Sequence, residues 1–365
     1  MKIQNIKLKN FRNYESLNIN FDSNVNLIYG KNGTGKTNIV EAIYYLALTK
    51  SFRVNNDRLL MKKGSLSTTI EGSVITDLTT NYKICLNDKG KKTEIDGNKQ
   101  DKISDYVSNI NVVLFQPEDT KIISDAPSYR RRLLNIEISQ LYKDYLLLLN
   151  AYDKVLKHRN SYLKELYING NASRDYLNIL TSKLIEFGLQ INKYRQEFID
   201  EINEYIGKIY KNIFGSGILS VKYVSDYNNK SKEDLLNKYQ TLYQKEIILG
   251  KTLLGIHHDD LDFSLDGNKL KDWGSVGQIK NAVISFKLAE IIIIEKNKGE
   301  YPILILDDLF SELDKEKILN ILKMLDNYVQ TFITTTDIEN IDLSLFDKYK
   351  IFKVEYGKIR EEENE

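Results

Sequence analysis

Hydrophobic positions follow different periods in the first, middle and last thirds of the chain. In the first third, residues 17–21 alternate between apolar and polar, and residues 25–29 form a short, mostly apolar run. Alternation is typical of a half-buried strand, and a short apolar run is typical of a buried one. We predict strands over 17–21, 25–29, 69–75, 82–86 and 111–115, and a helix that begins at Thr37.

The middle third has helical spacing. Apolar residues recur every three or four positions over 133–166 and again over 177–209, and the polar segment 169–173 separates the two runs. This spacing predicts an antiparallel pair of helices, the second with a seam like that of a short coiled coil. Ser231 and Asp234 form a capping-box pattern that predicts a third helix. Whether these helices form an ordinary lobe or a dedicated arm stays open.

Strand patterns return after Gly250. Residues 261–265 lead into a turn at 266–267, a helix is predicted over 276–295, and an apolar run over 303–306 ends at two aspartates. Strands on both sides of a helical insertion predict an α/β protein in which one lobe is built from both chain ends. The predicted division gives residues 1–128 and 246–365 to that lobe, and residues 129–245 to an inserted, mainly helical second lobe.

The composition is that of an ordinary globular protein, with 365 residues, 42% hydrophobic and 28% charged. No apolar run approaches the ~20 residues of a membrane span, and the first residues lack the apolar stretch of a secretion signal. The single cysteine, Cys85, excludes an internal disulfide. We therefore expect a cytoplasmic protein without a membrane partner. A net charge of +1 means that any DNA contact must come from local patches.

A phosphate-binding loop is the strongest chemical signal in the sequence. Residues 30–37 read GKNGTGKT, between a predicted strand and a predicted helix. Glycines let backbone N–H groups turn toward a phosphate, and the helix N-terminus adds its positive dipole end. We expect Lys36 to reach the β- and γ-phosphates as a catalytic residue and the Thr37 hydroxyl to ligate Mg²⁺. The predicted cofactors are ATP and Mg²⁺, and the predicted nucleotide-binding residues are Gly30, Lys31, Asn32, Gly33, Thr34, Gly35, Lys36, Thr37 and Asn38.

Two carboxylates follow the apolar run 303–306. An ATPase with a phosphate loop needs one acidic residue to hold Mg²⁺, and Asp307 suits that role. It also needs a group that orients and deprotonates the attacking water, for which Asp308 is the candidate. The alternative is a solvated turn at a strand end, which the presence of a phosphate loop makes less attractive.

Two further patterns separate this chain from P-loop kinases. Residues 311–314 read SELD, like the D-loop of ABC ATPases, with Ser311 and Asp314 as its marker residues. Residues 273–278 read WGSVGQ and resemble the ABC signature LSGGQ, whose predicted equivalents are Ser275, Val276, Gly277 and Gln278. A helix N-terminus there suits a γ-phosphate. Because the phosphate loop already supplies one phosphate site, we expect the signature to serve a second copy's ATP, in an ATP-bound homodimer. The alternative is a plain helix cap at Ser275.

With these motifs in place, the chain resembles the RecF family of ABC/SMC-type ATPases along nearly its whole length. Further resembling blocks are LKNFRNY at 8–14, KSFR at 50–53, FQPEDT at 115–120 and FITTTD at 332–337. The resemblance implies an ABC/SMC-like ATPase lobe with a second helical lobe. It implies a weak, DNA-dependent ATPase that dimerises head to tail on gapped, double-stranded or single-stranded DNA, with slow hydrolysis resetting the dimer. The partners so implied are RecR and RecO, acting toward RecA loading in recombinational repair and replication restart. The alternative is another SMC-like chromosome or DNA-end ATPase.

The chain departs from the family pattern at three places. His258 stands where the family has arginine, which puts a cationic role at neutral pH in question. Ile279 replaces a second glutamine after the signature, and the ABC switch histidine has no counterpart beyond Thr336 and Asp337. We expect His257 and His258 to lie in a strand and to point to opposite faces, which disfavours a shared metal ion.

Several arginines are candidates for binding DNA or the γ-phosphate. Arg53 follows the helix after the phosphate loop, where SMC-like relatives place an arginine near nucleotide and DNA; the alternative is a surface charge. Arg130, Arg131 and Arg132 either bind phosphates or begin a helix.

Three other classes of protein fit the motifs less well. The long insertion and the missing switch histidine argue against an ABC transporter subunit. The short seams and the lack of a CxxC hook argue against a long-armed break-repair ATPase. The signature and D-loop have no use in a small-molecule kinase.

Overall fold

The computed structural model describes residues 1–21, 23–168, 173–309, 315–324, 329–338, 341–355 and 357–362. The chain divides into two compact units, described separately below. The first comprises residues 1–120, 209–216 and 283–365, so both chain ends contribute to it. The second comprises residues 121–208 and 217–282. No helix within the described ranges is long and apolar enough to cross a membrane.

The chain mixes strands and helices, which confirms the predicted α/β fold class. The strands are β1 Lys2–Phe11, β2 Tyr14–Asn20, β3 Val25–Tyr29, β4 Ser67–Ile75, β5 Thr79–Asn87, β6 Gly90–Ile95, β7 Asn98–Lys99, β8 Val112–Phe115, β9 Leu219–Val224, β10 Asp260–Leu265, β11 Asn268–Lys269, β12 Ile303–Asp307, β13 Thr331–Thr335, β14 Tyr349–Glu355 and β15 Lys358–Glu362. The helices are α1 Lys36–Leu48, α2 Lys121–Ser124, α3 Pro127–Leu141, α4 Lys143–Ile168, α5 Arg174–Phe214, α6 Lys232–Leu249, α7 Leu270–Trp273, α8 Val276–Lys298 and α9 Lys315–Met324.

The first unit contains two sheets with α1 packed between them. An antiparallel sheet has the order β2–β1–β4–β5–β6–β7, and a mainly parallel sheet has the order β15–β14–β3–β13–β12–β8. Helix α1 contacts β1, β4 and β5 of the first sheet and β8, β12 and β13 of the second. Residues 39–48 of α1 are all buried because both sides of the helix are covered.

The parallel sheet determines where a ligand could bind. Strands β14, β3, β13, β12 and β8 run in the same direction, and β15 pairs antiparallel at the edge. Strands β12 and β13 are buried along their whole length. The carboxyl ends of β3, β12 and β13 therefore meet at one edge, which is where open α/β sheets bind ligands.

The second unit combines helices with a small sheet of order β11–β10–β9. The predicted helical run 133–166 is divided, because Tyr142 has extended backbone angles between α3 and α4. Leu163, Leu166 and Leu177 form a buried cluster against which side chains of α6 pack. These contacts favour an ordinary helical lobe over a free arm. The capping box at the start of α6 is confirmed, since Ser231 and Asp234 cap each other's backbone N–H groups.

The division between the units differs from the predicted boundary at residue 245. Strand β9 pairs with β10 over the register from Leu219–Leu265 to Val224–Asp260. This pairing keeps residues 246–282, which were assigned to the ATPase lobe, within the second unit. The sequence pattern indicated a strand over 261–265 but did not predict β9, so it carried no signal for their pairing.

Candidate functional site

The loop between β3 and α1 has a backbone that requires glycine. Gly30, Gly33 and Gly35 have φ angles of 152°, 80° and 116°. These angles are unfavourable for residues that carry a Cβ atom, and glycine adopts them readily. A Cβ atom on Gly35 would lie 2.6 Å from the Asn13 Nδ2 atom and 2.7 Å from the Tyr14 hydroxyl. The loop therefore holds a wound conformation that brings neighbouring residues close to its backbone.

The turn between β1 and β2 fixes this loop from the side. The Tyr14 hydroxyl donates to the Gly35 carbonyl at 3.1 Å, and Asn13 Nδ2 donates to the Thr34 carbonyl at 3.2 Å. Asn13 Oδ1 accepts from Asn38 Nδ2 at 2.7 Å. Burial raises the pKa of Tyr14 well above its ordinary value, which keeps its hydroxyl protonated as a donor. This turn lies within the block 8–14 that resembles the family, but the sequence did not predict these contacts of its side chains.

Lys36 lies under the loop. Its ammonium group donates to the Gly30 carbonyl at 2.6 Å and to the Lys31 carbonyl at 3.0 Å, and the residue is buried. Burial lowers the pKa of Lys36, while the nearby carboxylates of Asp308 and Asp307 act in the opposite direction. The structure thus places a cation beside both predicted acidic residues.

Asp307 and Thr37 meet as the sequence predicts. The Thr37 hydroxyl donates to Asp307 Oδ1 at 3.1 Å, and the Thr334 hydroxyl donates to the same oxygen at 2.6 Å. Asp307 is buried, and burial raises the pKa of its carboxyl group. A buried carboxylate next to a hydroxyl is the kind of oxygen donor set that Mg²⁺ prefers. The side chains present therefore fit Mg²⁺, and burial argues against a solvated turn at Asp307.

Asp308 has a constrained backbone. Its φ angle is 53°, and its N–H donates to the Thr334 carbonyl at 3.2 Å and to the Thr334 hydroxyl at 3.0 Å. A left-handed conformation is unfavourable for aspartate, and such residues occur often at active sites. Thr334 thus holds both aspartates, through the side chain of Asp307 and the backbone of Asp308.

A buried carboxylate on α1 links two arginines. Glu41 is fully buried and accepts from Arg12 Nε at 2.8 Å, from Arg12 Nη2 at 2.5 Å and from the Ser51 hydroxyl at 2.6 Å. Arg53 Nη1 approaches Glu41 Oε2 at 3.4 Å and donates to Asn38 Oδ1 at 2.8 Å. The half-exposed Arg53 therefore lies beside the predicted nucleotide-binding residues.

Sequence reasoning missed Arg12 and Glu41. The signal that could have found Glu41 is a lone carboxylate among apolar residues in the helix NIVEAIYYLAL. Such a carboxylate needs a buried partner.

The predicted signature forms an exposed helix N-terminus in the second unit. The Ser275 hydroxyl accepts from the Gln278 N–H at 3.2 Å, and the Gln278 side chain accepts from the Ser275 N–H at 2.9 Å. The helix cap that was the alternative to a signature at Ser275 is thus present. A Cβ atom on Gly277 would meet no atom of the described residues within 4 Å, and Val276 is exposed. Ser275, Val276 and Gly277 therefore leave space for a ligand in front of α8.

Arg130 and Arg131 have contacts within the second unit. Arg130 is buried; it donates to Asp260 from Nε at 2.5 Å and from Nη2 at 3.1 Å, and to the Asp125 carbonyl at 2.8 Å. Arg131 donates to the Asp259 carbonyl at 2.8 Å. The packing of α3 on β10 thus gives Arg130 a structural role in place of the predicted DNA contact. Arg131 and Arg132 are partly buried and stay predictions.

The adjacent histidines differ from their prediction. His257 and His258 lie in a 3₁₀ turn, and their ring centroids are 4.3 Å apart. In a helical turn neighbouring side chains do not point to opposite faces, so that part of the prediction is wrong. His257 Nδ1 lies 2.7 Å from the Tyr152 hydroxyl, and burial lowers its pKa to about 4. His257 is therefore neutral at neutral pH and has a structural role.

The predicted D-loop residues Ser311 and Asp314 lie outside the described residues.

Known proteins resemble this chain along nearly its whole length. The family described as the RecF/RecN/SMC N terminal domain matches residues 2–360. The DNA replication and repair protein RecF of Ligilactobacillus salivarius (strain UCC118) is 40% identical, over 99% of this chain and 98% of that protein. The protein of the same name from Listeria welshimeri is 38% identical, over 99% of this chain and 100% of its own length.

Solved structures give the same result. The recombination mediator protein RecF, solved as RecF-ATP in the RecFOR pathway, has a TM-score of 0.92 and 30% identity, covering 99% of this chain and 97% of that chain. An SmcHead structure bound to the C-winged helix domain of ScpA has a TM-score of 0.56 at 15% identity, with 99% and 97% of the chains covered. The second likeness concerns the fold alone.

Proposed function

The chain belongs to the RecF family of RecF/RecN/SMC proteins, and on that basis we propose that it is an ATP-dependent DNA-binding protein of recombinational repair. The observation that carries the proposal is the meeting of Lys36, Thr37 and Asp307 at one sheet edge from distant parts of the chain. A cation, a hydroxyl and a buried carboxylate beside a glycine-rich loop suit a magnesium-bound triphosphate.

In this proposal ATP lies on the loop of residues 30–37. The backbone N–H groups and the N-terminus of α1 bind the phosphates, and the Lys36 ammonium exchanges loop carbonyls for phosphate oxygens. Thr37 and Asp307 would hold Mg²⁺, which neutralises phosphate charge when bound. Asp308, held in a left-handed conformation, orients and deprotonates the attacking water. Hydrolysis by this site is weak and serves to reset the complex.

The second half of the site comes from another copy of the chain. Ser275 and Gly277 at the exposed N-terminus of α8 meet the γ-phosphate that the partner's loop holds, so ATP joins two copies head to tail. Arg53 is close enough to Asn38 to sense the nucleotide, or to contact DNA beside it. Contacts to DNA phosphates are independent of sequence and decrease steeply with salt.

Family membership extends the proposal to partners. The relatives carry the name of a replication and repair protein, and a solved relative is named as a recombination mediator in the RecFOR pathway. We infer that the dimer binds gapped, double-stranded or single-stranded DNA and acts with RecR and RecO toward RecA loading. The full-length match to RecF relatives favours this role over that of another SMC-like ATPase.

Light scattering of the purified full-length chain tests the proposal. With saturating ATP and Mg²⁺ the mass should double, and gapped duplex DNA should stabilise the dimer. Lys36→Ala should abolish both ATP binding and the mass change, whereas Lys63→Ala, at an exposed lysine outside the loop, should change neither. A chain that remains a monomer with ATP, Mg²⁺ and DNA would refute the dimer mechanism.

A further inference from the structure

The second unit presents an apolar patch around the signature. Trp273, the only tryptophan of the chain, is 81% exposed. Val276 is 75% exposed and Ile218 is 74% exposed. Ile218 belongs to the same area because its backbone is hydrogen-bonded to Asp266, at 3.0 Å and 2.8 Å, and Asp266 lines a cavity with Trp273. We call Ile218, Trp273 and Val276 the signature patch.

A cavity of about 290 Å³ lies beside this patch. Its walls include Trp273 and Gly274 together with Gln278, the residue that caps α8 with Ser275. Leu265 and Leu270 contribute buried apolar groups to the lining. The patch and the cavity therefore include the immediate sequence neighbours of Ser275 and Gly277, the residues that we propose to meet the γ-phosphate.

This exposure is unusual for the residue types involved. Tryptophan is highly buried on average in folded proteins, and it is enriched at the centres of protein interfaces, where truncation weakens binding most. Nothing in the chemistry of a helix cap requires tryptophan two residues before it. The side chain is therefore better explained by a surface that becomes covered.

The position of the patch identifies its occupant. Consecutive Cα atoms are about 3.8 Å apart, so Trp273 and Val276 lie within about 8 Å of Ser275 along the backbone. A partner that carries a nucleotide to Ser275 therefore comes close to Trp273 and Val276, whose side chains are exposed. Under the proposed function, on which this step rests, that carrier is a second copy of this chain. We propose that the signature patch is the apolar anchor of the ATP-dependent dimer and is buried when the dimer forms.

Tryptophan emission reports directly on this burial because Trp273 is the only tryptophan. The full-length Asp308→Asn chain, with ATP and Mg²⁺, should give a blue-shifted emission and several-fold weaker acrylamide quenching, in step with the mass measured by light scattering. Lys36→Ala treated identically should keep a solvent-exposed emission.

The two measurements separate the two proposals. A doubled mass with unchanged emission and quenching would overturn the signature patch but leave the ATP-dependent dimer. A mass that never doubles would overturn both. An emission shift without a mass change would show a local effect of nucleotide and would overturn the patch as a docking surface.

Variants test whether the patch also contributes to affinity. The double variant Trp273→Ser, Val276→Ser should raise the dimer dissociation constant at least tenfold, as hot-spot truncations do, while ATP binding by the monomer is unchanged. Leu66→Ser with Leu78→Ser is the matched control, since these side chains are 90% and 77% exposed in the first unit. Both double variants should keep the wild-type melting temperature because they truncate solvent-exposed groups.

Two results would contradict this role of the patch. One is a Trp273→Ser, Val276→Ser chain that dimerises like the wild type. The other is equal weakening by the control pair. Binding to anionic phospholipid vesicles that requires Trp273 and not ATP would assign the patch to a lipid surface and would also overturn the proposal.

Discussion

The two proposed half-sites of this chain are built in opposite ways. At the phosphate loop, Gly35 is enclosed by Asn13 and Tyr14, and a fully buried carboxylate, Glu41, lies one helical turn into α1. At the signature, a Cβ atom on Gly277 would lie more than 4 Å from every other part of the chain that the structure describes. The first half-site is preorganised by its own lobe, whereas the second is an open surface.

The phosphate loop and the signature also differ in the charge of their side chains. The phosphate loop brings together the Lys36 ammonium and the carboxylates of Asp307 and Asp308. Burial lowers the pKa of Lys36 and raises the pKa of Asp307, so it favours the neutral form of each group. The signature residues Ser275, Gly277 and Gln278 are uncharged and offer a hydroxyl, backbone amides and a helix dipole. In the proposed function, the first half-site binds the charged nucleotide by itself, and the second adds to binding only when the nucleotide is already held.

We expect the largest loss of stability from a variant that disrupts the preorganised half-site. Glu41→Ala leaves the Arg12 guanidinium mostly buried without its carboxylate, and removing one partner of a buried pair costs roughly 3–5 kcal/mol. Urea unfolding should show this loss in the free energy of unfolding. The control is Glu71→Ala, which breaks a half-exposed pair with Lys83 and should cost less than about 1 kcal/mol. Equal losses from both variants would show that Glu41 has no special role.

A second variant acts on chemistry without disturbing the fold. Asp308→Asn should retain ATP binding but slow hydrolysis by roughly 10²-fold, the range for loss of a general base. Phosphate release under saturating ATP measures the rate. Asp77→Asn, at an exposed carboxylate in the turn between β4 and β5, should leave the rate unchanged. Turnover by Asp308→Asn at the wild-type rate would remove Asp308 from the proposed role.

A third variant tests the enclosure of the loop. Gly35→Ala introduces a side chain at a φ of 116° and into contact with Asn13 and Tyr14, and strain of this kind costs about 1–3 kcal/mol. The melting temperature should fall, and ATP binding by the monomer should weaken. A stable Gly35→Ala chain with normal ATP affinity would mean that the loop adapts easily.

The contrast also explains what the sequence could predict. The phosphate loop, the two aspartates and the start of α8 are short local patterns, and the structure brings Lys36 near Asp307 and Asp308 as expected. The pairing of Glu41 with Arg12 spans 29 residues and depends on how β1 and α1 pack. Local periodicity carries no information about such a pairing.

The same reason explains why the sequence did not predict the domain boundary or the partner of Arg130. Pairing of β9 with β10 assigns residues 246–282 to the second unit, and Asp260, at the start of β10, binds Arg130. Composition alone does not show which charges have partners, so it could not show that Arg130 pairs with Asp260; Arg131 and Arg132 stay predictions.

The smallest expected effect on stability gives the sharpest test of the open half-site. Gly277→Ala adds a methyl group to an open space in the first turn of α8, and alanine favours helices over glycine by up to about 1 kcal/mol. The melting temperature should therefore stay constant or rise slightly, and ATP binding by the monomer should be unchanged. The dimer seen by light scattering should nevertheless weaken, because the methyl group stands where a partner's γ-phosphate would approach the backbone. An undiminished dimer in Gly277→Ala would show that the signature does not meet the nucleotide, whereas a destabilised monomer would show that Gly277 is enclosed in its own unit.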